Sequence, residues 1–332
     1  MNYNILRYSY TLFRPFYERS SFHRSVIEEL LDPELRVVYN YCRYITKEYA
    51  KTFYLATRFL PNEKQRAIFA VYALCRTLDN IVDEEQQNDS AMLHELDSVR
   101  LLEQWKFDLI RVYNHNYYGN NPVLLAFRDT IRHYPISLDL PLMLIDGVMM
   151  DLNKKRYRNF DELYDYSYKV ASVVGLISSE IFGYENKKAL DYAVDLGIAM
   201  QLTNILRDIG EDLERDRIYL PLDELHQFRI SETDLFEHRV SKNFKEFMIV
   251  QIERARSYYK SAEKGIPMLT SGTRVPVYLA HHNYSRILDK IVENGFQVFN
   301  KRAYVSKMEK IGSLPQIWWN SRTSRDENYT DA

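Results

Sequence analysis

From residue 33 onward, apolar side chains recur at intervals of three and four positions, the spacing that gathers them on one face of an α-helix. "LRVVYNYCRYITKEYAKTFYLATRFL" over 35–60 and "EKQRAIFAVYALCRTLDNIVDEE" over 63–85 carry the pattern plainly. Pro61, Asn62 and Glu63 form a helix-start signal between them. The same period predicts helices over 91–113, 122–133, 139–154, 161–182, 187–213, 242–264 and 274–297. Short polar connections join them, punctuated by Pro135, Pro221 and Pro267. Nothing reads as a linker or a short-period repeat, and the expectation is an all-α chain.

Composition sharpens that expectation. Of 332 residues, 46% are apolar, ample for a large core, while ten Gly and ten Pro are few for a strand-and-turn architecture. The formal charge of -2, with both signs well mixed, offers no field suited to a polyanion, so no nucleic-acid partner is expected. Cys42 and Cys75 lie far apart in apolar helical contexts, with neither a disulfide framework nor zinc-ligand spacing, which fits a reducing cytosol or plastid stroma. No H-E-x-x-H, G-x-G-x-x-G or G-x-x-x-x-G-K occurs, which removes zincin, Rossmann and P-loop readings. The longest apolar run, over 170–181, is broken by Ser, Gly and Glu180 and falls short of the about 20 residues a membrane span needs. The amino terminus, "MNYNILRYSYTLFRPFYERSSFHR", is aromatic and basic without a continuous apolar stretch, so it is not a secretory signal. A transit-like segment, an interfacial membrane anchor and a first helix covering the core all fit it.

An acidic D-x-x-x-D spacing occurs twice, at Asp79 and Asp83 and again at Asp208 and Asp212. On a helix, side chains four apart share a face. Tyr72, Arg76, Asp79 and Asp83 thus make one polar stripe, and Gln201, Asn204, Asp208 and Asp212 a second, each along an otherwise apolar helix. Like charges at this spacing destabilise a helix by roughly 0.2 to 0.5 kcal/mol, and by more where they face a core. A lone copy is usually a solvated face, but two copies, each with an Arg beside it, are harder to explain as surface. A hard dication offsets the repulsion: Mg²⁺ takes one or two carboxylates and fills its shell with water and substrate phosphate oxygens. The ligand implied is a diphosphate, which Arg76 and Arg207 can meet with charge-assisted hydrogen bonds. Loss of diphosphate leaves a carbocation, stabilised if allylic, which points to prenyl diphosphates. Such a cation needs a dry chamber with electron-rich walls, where each cation–π contact is worth about 0.5 to 2 kcal/mol. Of 27 Tyr and 16 Phe, mostly packing residues, Phe53, Tyr72 and Tyr166 stand out by their position relative to the motifs.

Four stretches, "YALCRTLDNIVDE", "MDLNKKRYRNFDELYDYSYKVASVVGL", "LGIAMQLTNILRDIGEDLERDRIYLPLDEL" and "NKRAYVSKMEKI", resemble the squalene and phytoene synthases, most specifically the phytoene-forming members. The resemblance covers about residues 40–312, leaving 1–39 as an amino-terminal extension and 313–332 as a polar tail. It implies an isoprenoid synthase fold, a single helical bundle around a central cavity. Asp79, Asp83, Asp208 and Asp212 would be catalytic with Arg76 and Arg207. Those acids and Asn204 would hold Mg²⁺, with Mn²⁺ as a substitute. Thr52, Phe53, Tyr72, Tyr166, Val170, Gln201 and Asn204 would bind substrate. The implied chemistry is a Mg²⁺-dependent prenyl transfer, joining two geranylgeranyl diphosphates head to head through a cyclopropylcarbinyl diphosphate to give phytoene, with no NADPH.

Departures from the family pattern are Asn80, where a second acid often follows the leading Asp, and Ser172 and Val173, where Gly and Thr are frequent in a segment that lines the hydrocarbon cavity. His281 and His282 lie on a helix that is usually more apolar and are read as structural. Alternatives are farnesyl diphosphate as substrate, giving dehydrosqualene or, with NADPH, squalene; cyclisation of one prenyl diphosphate; and a non-catalytic pathway scaffold. An apolar product also implies peripheral membrane contact, from the cytoplasm or the stroma.

Overall fold

The computed structural model describes residues 25–83 and 91–313, with 315 and 317 beyond them. The first part of the chain forms α1 (Ser25–Glu28), α2 (Pro33–Tyr49), α3 (Lys51–Thr57), α4 (Asn62–Asp83), α5 (Ala91–Tyr113), α6 (Pro122–His133) and α7 (Asp139–Asn153). Next come β1 (Arg156–Tyr157), α8 (Phe160–Ser167), a π-turn over Tyr168–Ser172 and α9 (Val173–Phe182). The last part forms α10 (Lys188–Arg207), α11 (Ile209–Glu214), β2 (Ile218–Pro221), α12 (Leu222–Gln227), α13 (Glu232–Phe236), α14 (Lys242–Glu263), α15 (Arg274–Glu293) and α16 (Lys307–Gly312).

Local chemistry sets the helix starts. Asp32 accepts from the Glu34 amide at 2.8 Å ahead of Pro33, and Asn121 accepts from Val123 at 2.9 Å ahead of Pro122. Ser241 likewise accepts from Phe244 at 3.1 Å. Each satisfies an amide that the first helical turn leaves unpaired.

Three predicted helices are interrupted. The stretch over 35–60 breaks at Ala50 (φ -135, ψ 59), which frees α3 to pack on α15. The stretch over 161–182 widens into the π-turn, whose backbone lies on α10. A Cβ at Gly197 would sit 2.4 Å from the Ser172 Cα, so glycine is what permits this approach. The stretch over 187–213 bends at Asp208, because the following turn is drawn against the 296–299 loop: a Cβ on Gly210 would lie 2.0 Å from the Phe299 carbonyl oxygen. One feature escapes a helical reading altogether. β1 and β2 form a parallel two-stranded pair, the Ile218 amide donating to the Lys155 carbonyl at 2.9 Å. Strands of two and four residues are too short for an alternating pattern to register.

Two apolar clusters build the interior. The first joins α2, α4, α5, α6, α7 and α9 around Phe69, Leu74, Leu102, Phe127 and Ile177. The second joins α8, α10, α14, α15 and the strand pair around Tyr157, Ile198, Phe247 and Leu288. Tyr168 of the π-turn packs against both. Val26, Ile27, Val38 and Tyr39 belong to the first cluster, so residues 25–39 pack with the core, and α2 runs through residue 40. Residues 1–24 and most of 313–332 lie outside the described residues. Among the described residues, no helix is long and apolar enough to cross a membrane.

Candidate functional site

The first acidic stripe runs along the last turns of α4. Leu74, Leu78 and Val82 on the opposite face are buried in the first cluster, which turns Arg76, Asp79 and Asp83 away from it. Asp79 keeps accessible surface although protein atoms crowd its carboxyl. Desolvation pushes its pKa to about 7, with the charges of Asp83 and Asp151 adding to the rise and Arg76 opposing it. Arg76 Nη1 lies 4.0 Å from Asp83 Oδ2, and its guanidinium sits over the Tyr49 ring at 4.7 Å.

The second stripe survives the bend. The Asp208 amide donates to the Asn204 carbonyl and the Asp212 amide to the Asp208 carbonyl, both at 2.9 Å, so the i, i+4 relation continues through Asp208. Arg207 Nε donates to Asp208 Oδ1 at 2.7 Å, and Arg302 approaches the same carboxylate at 3.1 Å through Nε and Nη2. Arg207, expected at the diphosphate, is thus paired with Asp208 in this structure. Desolvation raises the Asp212 pKa to about 8; Asp208 and Asp151 add to the rise, while Arg217 and Arg215 oppose it. Asn204 donates to Gln201 Oε1 at 3.4 Å, and its own Oδ1 is buried without a partner.

The two stripes meet. Arg215, three residues after Asp212, places Nη1 3.6 Å from Asp83 Oδ1. Between them lies an acid that neither motif contains. Asp151, in the last turn of α7, accepts from Tyr219 at 2.8 Å on Oδ1 and from Tyr166 at 3.0 Å on Oδ2. Its backbone carbonyl accepts from the buried Arg217 at 2.9 Å. Burial raises the Asp151 pKa, Arg217 and the two phenols lower it, and its charge is felt at Asp79 and Asp212. The signal for Asp151 in the sequence is faint: one carboxylate at the C-terminus of an apolar helix, where the helix dipole disfavours it.

A sequence model of the squalene/phytoene synthase family matches residues 46–309. The chain belongs to the squalene/phytoene synthase family. It is 40% identical over 293 residues to a chloroplastic phytoene synthase of Narcissus pseudonarcissus, covering 86% of this chain and 67% of that protein. It is 41% identical over 293 residues to a 15-cis-phytoene synthase of Synechococcus elongatus, covering 85% and 92%. Among solved structures, a dehydrosqualene synthase in complex with ligand superposes with a TM-score of 0.77 at 28% identity, covering 86% of this chain and 96% of that one. A squalene synthase from Alicyclobacillus acidocaldarius, at 23% identity and a TM-score of 0.74, shares the fold. The all-α isoprenoid synthase architecture expected from the sequence is the one present.

The Phe53 ring lies 5.6 Å from that of Tyr72 and keeps 38% of its surface exposed. The Thr52 side chain lies outside the described residues. Tyr166 is 4% exposed and stacks on Tyr219 at 5.1 Å, so it forms part of a tyrosine block with its hydroxyl on Asp151. Val170 sits in the π-turn, partly buried against the second cluster. Ser172 and Val173 are buried, and the Ser172 hydroxyl donates to the Val194 carbonyl at 2.8 Å. Asn80 lines a hollow of about 290 Å³ between α2 and α4 that it shares with Arg76 and Tyr49. His281 is held by the Tyr259 carbonyl at 3.0 Å.

The donor set fits an open dication site. Among the described residues, no three acid, His or Cys side chains gather tightly enough to enclose an ion. What the stripes offer is two carboxylates at i, i+4 spacing on each, with Asp79 and Asp212 raised in proton affinity by burial, plus the orphaned Asn204 oxygen. That is a partial oxygen shell, of the kind Mg²⁺ completes with water and substrate phosphate.

Proposed function

We propose that this protein joins two geranylgeranyl diphosphates head to head, through prephytoene diphosphate, to give phytoene for carotenoid biosynthesis. The observation that carries the reading is the likeness to phytoene synthases at about 40% identity over most of the chain, in a fold where both acidic stripes flank one acid. In this reading Asp79, Asp83, Asn204, Asp208 and Asp212 hold Mg²⁺. A dication held by these side chains would supply positive charge to the leaving diphosphate.

The chain's own groups do the rest. Arg76 stands beside Asp83 and supplies hydrogen-bond donors to the leaving group, a role Arg207 shares once a ligand displaces it from Asp208. Phe53, Tyr72 and the tyrosine block supply ring faces to the allylic cation, which the double bond of the second substrate attacks to close the cyclopropane. A second ionisation, rearrangement and proton loss complete the sequence, with no reductant. The apolar packing of both clusters keeps water from quenching the cations.

The purified protein, incubated with Mg²⁺ and either farnesyl or geranylgeranyl diphosphate, with and without NADPH, should yield phytoene from the C20 substrate regardless of NADPH. A C30 hydrocarbon as the main product would transfer the chain to the dehydrosqualene or squalene activity of its structural neighbours. Because phytoene is wholly apolar, the reading includes peripheral membrane contact from the cytoplasm or stroma, mediated by the basic, aromatic residues 1–24. Removing residues 1–24, which leaves the core residues Val26 and Ile27 in place, should abolish sedimentation with liposomes, and unchanged sedimentation would refute that role.

A further inference from the structure

Asp151 belongs to neither aspartate motif, yet contacts from three directions fix it. Tyr166 of α8 and Tyr219 of β2 each donate to a separate carboxylate oxygen, and Arg217 holds the backbone carbonyl. The strand pair explains why these groups meet: β2 lies beside β1, five residues beyond Asp151, and this brings Arg217 and Tyr219 back onto the end of α7. The position is a costly one for a carboxylate. It sits at a helix C-terminus, largely out of water, within the fields of other acids. Local costs of this kind persist where function needs them.

We propose that Asp151 is a positioning residue for the reaction: by accepting hydrogen bonds from Tyr166 and Tyr219 it locks both phenols in one orientation and keeps their rings electron-rich toward the carbocations. The inference rests on the function proposed above. Both rings belong to one block, Tyr166 on Tyr219 at 5.1 Å and Tyr157 at 5.4 and 5.5 Å from them. Within the block the carboxylate discriminates: the Tyr157 hydroxyl is buried without a partner, while its two neighbours are tied down. A phenol that donates to a carboxylate gains electron density on its ring. A neutral amide in the same place accepts one of the two O–H groups on its oxygen and, with its nitrogen, none. Orientation and polarisation would both be halved with little change in volume.

The test uses the full chain with geranylgeranyl diphosphate and Mg²⁺. Asp151→Asn should lower kcat by about 10- to 100-fold, the range for removing a group that orients another. The KM for substrate should move by less than about twofold, since the proposal gives Asp151 no contact with the substrate. Asp151→Glu, which keeps the charge, should recover part of kcat. On top of Tyr166→Phe plus Tyr219→Phe, Asp151→Asn should cost little more, because all three act as one unit. An unchanged kcat, a change confined to KM or to the metal requirement, or losses that simply multiply would overturn the proposal. If Asp151→Asn fails to fold, the Tyr166→Phe plus Tyr219→Phe protein decides, since an unaltered kcat there refutes the role. Wild-type protein that makes no phytoene would instead refute the function proposed above, a result read before any variant.

Discussion

Asp79 and Asp212 have their carboxyl pKa values pushed from the usual 3.8 to about 7 and about 8. A folded state that holds protons more tightly than the unfolded chain is favoured below the unfolded pKa, and it loses that advantage as pH rises through the folded pKa. Metal-free protein should therefore lose thermal midpoint as pH rises from about 5 to about 8, and Asp212→Asn should flatten that decline. A midpoint that rises over this range would contradict the assignment. The same carboxylates are the ones the reaction needs. Asp79→Asn should reduce Mg²⁺-dependent turnover by at least about 100-fold while circular dichroism shows unchanged helix, as when a preorganised charge is removed from a reacting centre. The Asp pairs were legible in the sequence because four positions along a helix fix a shared face. Asp151 was not: its partners lie 15 and 68 residues away, and nothing in the local pattern marks them.

Among the secondary-structure elements, the helix period located α4, α5, α6, α7, α14 and α15 closely, since each has a continuous apolar face and most have a start signal. The interruptions did not show, because their causes lie on other elements. Ser172 meets α10 across Gly197, and the bend at Asp208 answers to the Phe299 loop. Gly197→Ala should force the π-turn and α10 apart. We expect a loss of about 1 to 3 kcal/mol in urea unfolding, the range for overpacking a filled interior. Full stability in that variant would mean that the approach relaxes freely.

For the molecule as a whole, the site lies where the α4 side meets the α10 side, and the Arg215–Asp83 ion pair joins them. Mg²⁺ with a non-ionisable prenyl diphosphate analogue should slow amide exchange in 76–83 and 204–217 at the same ligand concentration. Protection of one segment without the other would separate the two motifs.

The sequence by itself determined the helical class, the two acidic stripes and their neighbouring arginines, because these follow from the geometry of residues three or four apart. Tertiary structure decided that Arg207 and Arg302 share Asp208, that Arg215 reaches Asp83, and that two tyrosines and an arginine converge on Asp151. Those pairings join positions as far as 132 residues apart, from Asp83 to Arg215. Contacts over such distances depend on how whole helices pack, and helical periodicity carries no record of them.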